Sequence, residues 1–394
     1  MRKFILFFIL LFSVFLVFSF VDFNGNSGNE KKDSFNSENE VRGVFISYID
    51  YGHFNGKSSS EIKSLIDEMI NNVSYFGLNS IILQVSPFSD AIYPSKVYKS
   101  SHVVVAKEGD DLPMDILDYF ISSASKKNIE IYAWFNPYRI RNDNNKGDIN
   151  KDSYYYKWFD TDNIEVTDKG IYLNPASLEV LEYIKKGISE VCSNYDIKGV
   201  LFDDYFYPNE TIDLKSYDKT SKNISLDDYR VSNINKLISE SYDTVKKVNK
   251  NIKFGISPAG NIENNLTKEY LDVKGVLESN KIDFIIPQLY YGFDNSSKPY
   301  IGTLNEWNSL NVNNNDLYVG LSLYKSGKVD LYAGDGRTEW VDNDDIIKKQ
   351  IIVSRNISNY KGFYIFRYEY LFKIHNSDSL DGEISNLKTL IDTR

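Results

Sequence analysis

The sequence predicts an α/β fold, a (β/α)8 barrel of the TIM type with long loops at the C-terminal face of its strands. Short β-rich apolar runs alternate with amphipathic helical stretches, and eight such runs can be drawn. The chain has 394 residues, whereas the bare fold needs roughly 250. The surplus lies after strands two, three, four and seven, in segments 86–112, 136–174, 205–224 and 324–341. Because the active site of such barrels lies at this face, we expect a cleft for an extended substrate.

The predicted strands are apolar and rich in β-branched and aromatic residues: 41–49, 80–85, 130–135, 199–204, 253–257, 283–289, 317–323 and 362–368. Helical patterns alternate with them near 59–76, 113–127, 176–194, 225–250, 268–280, 300–310, 342–359 and 379–392. In helix 225–250, Ser225 is the expected N-cap. An open doubly wound sheet is the alternative, but no glycine-rich phosphate-binding motif follows any strand.

The N-terminus predicts export. Arg2 and Lys3 precede an apolar run from Phe4 to Val21, as in a signal peptide, and the run is also just long enough to span a bilayer. Residues 1–21 are therefore either a cleaved signal peptide or an N-terminal membrane anchor, with the body of the protein outside the membrane. Residues 22–40 are rich in Asn, Ser, Gly, Lys and Glu and predict a flexible spacer. The barrel domain is expected over 41–394.

Composition disfavours several classes of function. The net charge is −10 and the body has no block of Lys or Arg, which argues against a nucleic-acid partner. Three histidines and one cysteine without metal-ligand spacing argue against a zinc site, and we expect neither metal nor cofactor. Aromatic residues make up 15% of the chain. An AT-rich genome would explain much of this excess, so aromatics indicate function only where their position supports it.

The most informative segment is Leu201 to Pro208, which reads Leu-Phe-Asp-Asp-Tyr-Phe-Tyr-Pro. A buried strand runs into two adjacent carboxylates, Asp203 and Asp204, followed by aromatics. Burying an unpaired carboxylate costs several kcal/mol, so an acid pair at a strand end suggests chemistry. The structural alternative is a turn in which both acids cap backbone groups or pair with cations. On a regular strand the two side chains would also point to opposite faces.

Polar and aromatic side chains recur at nearly every predicted strand end. Stacking surfaces, amides and a carboxyl pair are what a sugar-binding site needs. Besides the acid pair and Glu369, the candidate substrate-binding residues are Gln84, Asp90, Trp134, Asn136, Tyr138, Arg139, Tyr205, Tyr207, Gln288, Tyr290 and Tyr291. Arg139 has a structural or acid-pairing role as its alternative.

Several motifs carry a resemblance to a known family. They are Glu40-Val-Arg-Gly-Val-Phe, Gly77-Leu-Asn-Ser-Ile-Ile-Leu-Gln-Val, Pro87-Phe-Ser-Asp-Ala-Ile-Tyr-Pro-Ser, Tyr132-Ala-Trp-Phe-Asn-Pro-Tyr-Arg, Phe202-Asp-Asp-Tyr-Phe-Tyr-Pro, Phe254-Gly-Ile-Ser-Pro and Ile286-Pro-Gln-Leu-Tyr. In this order, over about residues 40 to 370, the chain resembles the bacterial glycosyl hydrolase-like family 10 proteins. The resemblance implies an exported or membrane-attached TIM-barrel glycosidase, and some members cleave peptidoglycan glycan strands that lack stem peptides. The chain differs at Ser86, where the family usually has Arg, and mildly at Ala259-Gly260.

Two mechanisms remain open. In a two-carboxylate scheme, Asp203 or Asp204 is the acid and Glu369 is the nucleophile or base. In a substrate-assisted scheme, the 2-acetamido oxygen of an N-acetylhexosamine is the nucleophile, and both acids can come from one strand end. A non-catalytic, anchored carbohydrate-binding protein is the alternative function. Deacetylase or esterase chemistry has no support, because the sequence contains neither a His-based metal cluster nor a Gly-x-Ser-x-Gly elbow.

Overall fold

Eight parallel strands close into a barrel in the computed structural model, which describes residues 39–143, 149–208, 210–220 and 223–393. In chain order they are β1 (Val41–Ile46), β2 (Ser80–Ser86), β3 (Glu130–Phe135), β4 (Gly199–Phe202), β5 (Lys253–Ile256), β6 (Phe284–Ile285), β7 (Asp316–Ser322) and β8 (Tyr360–Phe366). Around the barrel the order is β1-β8-β7-β6-β5-β4-β3-β2. The predicted (β/α)8 barrel is confirmed.

A helix follows each strand. These helices are α1 (Ser59–Phe76), α2 (Ile116–Ser125), α3 (Leu178–Asn194), α4 (Leu226–Val248), α5 (Val273–Glu278), α6 (Tyr300–Leu310), α7 (Ile346–Ser354) and α8 (Asp378–Asp392). Short helices lie in the loops at Tyr48–Tyr51, Tyr154–Trp158, Leu214–Asp218, Ile262–Lys268, Glu339–Asp342 and Tyr368–Phe372. The predicted N-cap of α4 is confirmed, since Ser225 Oγ accepts a hydrogen bond from Asp228 N at 3.1 Å.

Four predicted elements differ clearly from the structure, and one of them is α7, which spans Ile346–Ser354 instead of the predicted 342–359. β1 ends at Ile46 because Ser47 and Asp50 form a capping box that begins a short helix. β6 is much shorter than 283–289, since Pro287 has no N–H to donate to the ladder and Gln288 regains only isolated bridges. The predicted helix 268–280 is shorter, Val273–Glu278, and a separate helix that was not predicted, Ile262–Lys268, precedes it; Tyr270, whose φ is +50°, lies between the two. The remaining strand boundaries agree within two residues.

Side chains fill the interior of the barrel. The central cluster is Phe45, Ile82, Tyr132, Trp134, Leu201, Phe284, Ile286, Tyr318 and Tyr364. The tyrosine rings meet edge to face, as where Tyr318 and Tyr364 have centroids 5.6 Å apart, and Tyr364 OH hydrogen-bonds Ser80 Oγ at 2.8 Å. The large rings fit because glycines on neighbouring strands face them: Gly43 faces Tyr364, Gly199 faces Tyr132 and Gly255 faces Phe284. A closely packed aromatic layer therefore fills the barrel below the C-terminal face and supports the residues at the strand ends.

The long loops carry two small sheets. Asp90–Ala91 pairs with Lys99–Ser100 after β2, and Ile171–Leu173 lies between Arg139–Arg141 and Ile164–Val166 after β3. The predicted leader 1–21 lies outside the described residues, as does all of the spacer 22–40 except residues 39 and 40. None of the helices in the described part of the chain is long and apolar enough to cross a membrane.

We expect Gly43→Ala to destabilise the barrel, because a Cβ at this position would lie 2.0 Å from Cδ1 of Tyr364. Overpacking of this kind costs about 1–3 kcal/mol of unfolding free energy, measured by urea denaturation. The control is Gly302→Ala in α6, where the new Cβ would meet only Pro299 Cγ at 3.5 Å. Alanine favours a helix by up to about 1 kcal/mol over glycine, so this variant should be no less stable. Equal stability of both variants would contradict the proposed packing.

Candidate active site

The acid pair lies where β4 ends. The last ladder bond of this strand is Ser257 N to Phe202 O at 2.8 Å, and the chain leaves the strand at Asp203. The alternation of side chains stops there, so both Asp203 and Asp204 line one cavity of ≈ 250 Å³ at the C-terminal face. Asp203 is 4% exposed and Asp204 is partly buried. The end of the strand therefore removes the geometric conflict that a longer strand would impose.

Asp203 is held by an amide from the neighbouring strand end. Asn136 Nδ2 donates to its two carboxylate oxygens at 3.3 and 3.2 Å, and Asn136 Oδ1 accepts from Arg139 N. Burial raises the pKa of Asp203 to about 7, and the charge of Asp204 adds to this, whereas Arg139 and the Asn136 hydrogen bond act in the opposite direction. This site therefore retains a proton close to neutral pH.

Asp204 lies beside the amide of Gln288, which follows β6. Burial raises the pKa of Asp204, and its hydrogen bond with the Gln288 side chain partly opposes that effect. Gln288 Nε2 also donates to Ser257 O at 3.2 Å, which fixes the amide between the ends of β5 and β6. Each acid thus has its own amide partner. Because the two carboxyls interact strongly, their proton belongs to the pair rather than to one residue.

Aromatic side chains form the walls of this acid-pair cavity. Its other lining residues are Phe45, Trp134, Tyr205, Ser257, Gln288, Tyr290, Tyr324 and Phe366. Trp134 packs edge to face on Phe45 with centroids 5.7 Å apart, and its indole N–H has no hydrogen-bond partner among the residues that the structure describes. Tyr205 is 55% exposed and stands at the rim. The position of these aromatic residues in the cavity indicates a functional role, which their abundance in the sequence alone does not.

A second cavity of ≈ 460 Å³ lies beyond Tyr205, which lines both. It contains five of the predicted site residues: Asn136, Tyr138, Arg139, Tyr205 and Tyr207. Arg139 Nε donates to Pro87 O at 3.2 Å, and the guanidinium lies over the rings of Phe88, Tyr48 and Tyr205 at 4.6, 5.6 and 5.5 Å. This cation faces the acids while ring faces and a carbonyl hold it in place.

The second cavity also contains Glu269, a residue that the sequence did not single out. Its Oε2 accepts from Tyr207 N at 3.1 Å. Burial raises the pKa of Glu269 to about 7, and the charges of Asp204 and Asp203 add to this, so a third carboxyl lies close to the pair. In the predicted helix 268–280, Glu269 would have been an ordinary surface acid. The helix is interrupted at Tyr270, which turns Glu269 towards the cavity. The hydrophobic pattern of the sequence does not predict this interruption.

Other predicted residues lie away from the acid pair. Glu369 pairs with Arg367 at 2.6 Å and does not line the acid-pair cavity. Gln84 is buried and accepts from Tyr48 N at 3.1 Å, and Asp90 is buried against Phe88 N and His102. Tyr291 is close to Gly260 and accepts from Gln350 through its carbonyl. These contacts describe structural positions, and the catalytic role of Glu369 stays a prediction.

The comparison with known families decides the classification. The sequence profile of the family described as Glycosyl hydrolase-like 10 matches residues 40–334. The chain belongs to this family. Members with similar sequences include glycosyl hydrolase YngK of Bacillus subtilis (strain 168), which is 31% identical over 385 residues covering 90% of this chain and 74% of YngK. Glycosyl hydrolase DigH of Escherichia coli (strain K12) is 27% identical over 359 residues covering 83% of this chain and 80% of DigH. This member of the family is a glycosidase.

Solved structures share the fold of this family member. The glycoside hydrolase domain of PgaB (BpsB) from Bordetella bronchiseptica aligns with a TM-score of 0.52 at 9% identity, over 90% of this chain and 98% of that one. The endo-beta-1,4-mannanase from Thermotoga petrophila aligns with a TM-score of 0.54 at 16% identity, over 90% of this chain and 77% of the mannanase chain. At this identity the likeness concerns the barrel alone.

Within the described ranges of this family member, no group of three His, Cys, Asp or Glu side chains is placed to hold a metal.

We expect Asp203→Asn to stabilise the folded protein at alkaline pH. The folded-state pKa of Asp203 lies above its ordinary value, so the stability associated with its protonated form is lost as pH rises through about 7. Asn stays neutral, and its gain over wild type should therefore be about 2–4 kcal/mol larger at pH 8 than at pH 4. Urea denaturation at both pH values measures this difference. Asp152→Asn, at an exposed carboxylate, is the control; an equal gain there would show that the effect is not specific to the site.

Proposed function

We propose that this glycosidase cleaves a cell-wall glycan that contains N-acetylhexosamine, most simply peptidoglycan strands without stem peptides, with Asp203 and Asp204 as its acid pair. The observation that carries the proposal is that both carboxyls line one aromatic-walled cavity, each beside its own amide partner, where burial raises the pKa of both. Ring faces suit pyranose stacking, and the unpartnered N–H of Trp134 is a buried donor that a sugar oxygen would satisfy. The family resemblance supports the same substrate class.

The arrangement favours the substrate-assisted scheme over the two-carboxylate scheme. Both acids come from one strand end, and Glu369 does not line their cavity. In this proposal Asp203, held by Asn136, accepts the acetamido N–H of the sugar. That hydrogen bond, added to the one from Asn136, stabilises the Asp203 anion, so the shared proton moves to Asp204. Asp204 is then the general acid.

The reaction proceeds in two steps. The acetamido carbonyl oxygen attacks C1 while the bond from C1 to the glycosidic oxygen breaks, and Asp204 gives its proton to that leaving oxygen. The product is an oxazolinium ring whose N–H rests on Asp203. Water then attacks C1 and transfers a proton to the Asp204 carboxylate, which opens the ring and restores both the acetamido group and the starting protonation.

We expect the two acids to differ in their dependence on the leaving group. Asp204→Asn should lower kcat on glycan strands by about 10²–10⁴-fold. The activity of this variant should recover on aryl N-acetylglucosaminides whose phenol can leave without being protonated. Asp203→Asn should lose activity on both substrates, because nucleophilic participation is impaired. Product release from peptide-free peptidoglycan, followed by mass spectrometry, and phenol release provide the measurements.

Glu369→Gln and Glu269→Gln test the two-carboxylate alternative. If the substrate-assisted scheme holds, both should keep most of the kcat, and a thiazoline mimic of the oxazoline should inhibit strongly. Loss of activity in either Gln variant, together with no thiazoline inhibition, would assign the second catalytic carboxyl to that residue instead. Unchanged product release in both Asp variants would remove the acid pair from the mechanism altogether.

We expect kcat/KM on glycan strands to fall as pH rises through about 7, because the acid pair then loses the proton that the leaving oxygen needs. An aryl substrate with an acidic phenol should not show this decline, since its departure needs no proton donor. A profile that stays flat to pH 9 on the glycan would contradict general-acid catalysis by this pair.

We also propose that the protein acts outside the cytoplasmic membrane. The proposal depends on the charged and apolar pattern of residues 1–21 and on the cell-wall substrate. Accessibility of the barrel to protease in intact, wall-stripped cells tests it, and mass spectrometry of the mature N-terminus separates a cleaved signal from an anchor. A barrel that is protected until the cells are lysed would overturn the proposal.

A further inference from the structure

The loop after β7 presents an unusual exposed surface. Tyr332 is 89% exposed, Leu331 80% and Val329 51%. Together with Lys325, Lys328, Asp330 and Tyr324 they line a third cavity of ≈ 370 Å³. Tyr324 lines both this cavity and the acid-pair cavity, so the two are adjacent. Exposed apolar groups beside a substrate cleft indicate a contact surface.

This exposed loop is held in place by hydrogen bonds at its base. Lys325 Nζ donates to both Asp330 Oδ2 and Tyr290 O at 2.7 Å. The backbone is fastened by Gly327 N to Trp340 O at 2.7 Å and Asp330 N to Arg337 O at 2.8 Å. Because the loop is fixed, the side chain of Tyr332 is presented in advance, and a ligand does not have to order the backbone.

Aromatic rings lead from the acid pair to this loop. Tyr290 and Tyr324 have centroids 5.9 Å apart, and Tyr324 and Tyr370 follow at 6.1 Å. Lys328 Nζ lies 4.8 Å from the Tyr370 ring centroid. Asp330 is already paired with Lys325, so Lys328 gives this end of the cleft a net positive charge.

The third cavity lies across the barrel from the second one. The second cavity includes Asn136 and Arg139, which follow β3, and the third includes residues that follow β7. In the closed order of eight strands, β3 and β7 are opposite one another. The acid-pair cavity shares Tyr205 with the second cavity and Tyr324 with the third, so it lies between them, and a glycan that filled all three would be cut at an internal bond.

We propose that the β7 loop is a glycan subsite in which Tyr332 stacks on a sugar ring and Lys328 pairs with a carboxylate carried by that or a neighbouring sugar. The inference rests on the proposed function, because it assumes that the acid-pair cavity binds the scissile unit of a glycan. It adds a position for binding at a distance from the reacting atoms, a preference for acidic sugars, and internal cleavage.

The test compares two loop variants on two substrates. Tyr332→Ala should raise KM for long, peptide-free peptidoglycan strands about three- to tenfold with little change in kcat, since the stack lies away from the acids. Lys328→Gln should raise KM about two- to fivefold on the same strands and have no effect on strands whose carboxyls have been amidated. The matched controls are Tyr75→Ala, at a tyrosine that is 85% exposed on α1, and Lys274→Gln, at a lysine that is 67% exposed on α5.

The outcomes separate this proposal from the proposed function. If wild type cleaves the strands but the loop variants match their controls, the subsite is wrong and the function stands. If wild type cleaves nothing, calorimetric binding of the strands decides, and equal Kd for wild type and Tyr332→Ala overturns the subsite. An equal KM increase for Lys328→Gln on native and amidated strands would remove the carboxylate preference. Loss of binding to anionic vesicles in Tyr332→Ala, with glycan binding intact, would assign the loop to a lipid surface instead.

Discussion

The site depends on where the β4 ladder stops. The hydrogen bond from Ser257 N to Phe202 O is the last one that fixes this strand, and one residue later the side chains no longer alternate. Asp203 and Asp204 can therefore share one cavity although they are neighbours in the chain. If the ladder continued through Asp204, one acid would turn away from the cavity and the pair would not share a proton. The chemistry thus follows from a strand end as much as from the two residues.

Sequence patterns predicted the barrel well because its strands are continuous apolar runs. Strand β3 has the predicted bounds of 130–135, and β4 begins at the predicted Gly199. The pattern failed where local backbone chemistry overrides hydrophobicity. Pro287 limits β6, and the capping box at Ser47 ends β1, although the apolar run continues in both places.

The site was predicted in part for the same reason. Five of the predicted residues follow or end strands, so counting along the ladders places them at the acid-pair cavity or at the second cavity: Trp134, Asn136, Tyr205, Gln288 and Tyr290. Counting along strands could not predict the position of Glu269. This residue lies near the acid pair because the helical backbone is interrupted at Tyr270, and the hydrophobic periodicity does not show that interruption. Counting also does not show whether a strand-end residue is already engaged. Glu369 satisfies the rule of position but is paired with Arg367.

Arg139 lies near the acid pair without forming an ion pair to Asp203 among the described residues. A guanidinium in direct contact with Asp203 would favour the carboxylate and lower its pKa, and the pair would then have no proton to give. Instead, among the described residues, Arg139 bonds a carbonyl and lies over three rings, and no ion pair joins it to Asp203. Its charge acts on the acids without a direct contact, so burial remains the dominant effect on their pKa values. The aromatic wall therefore serves the chemistry in two ways, because it offers surfaces to sugar rings and restrains the cation that would otherwise neutralise the acid pair.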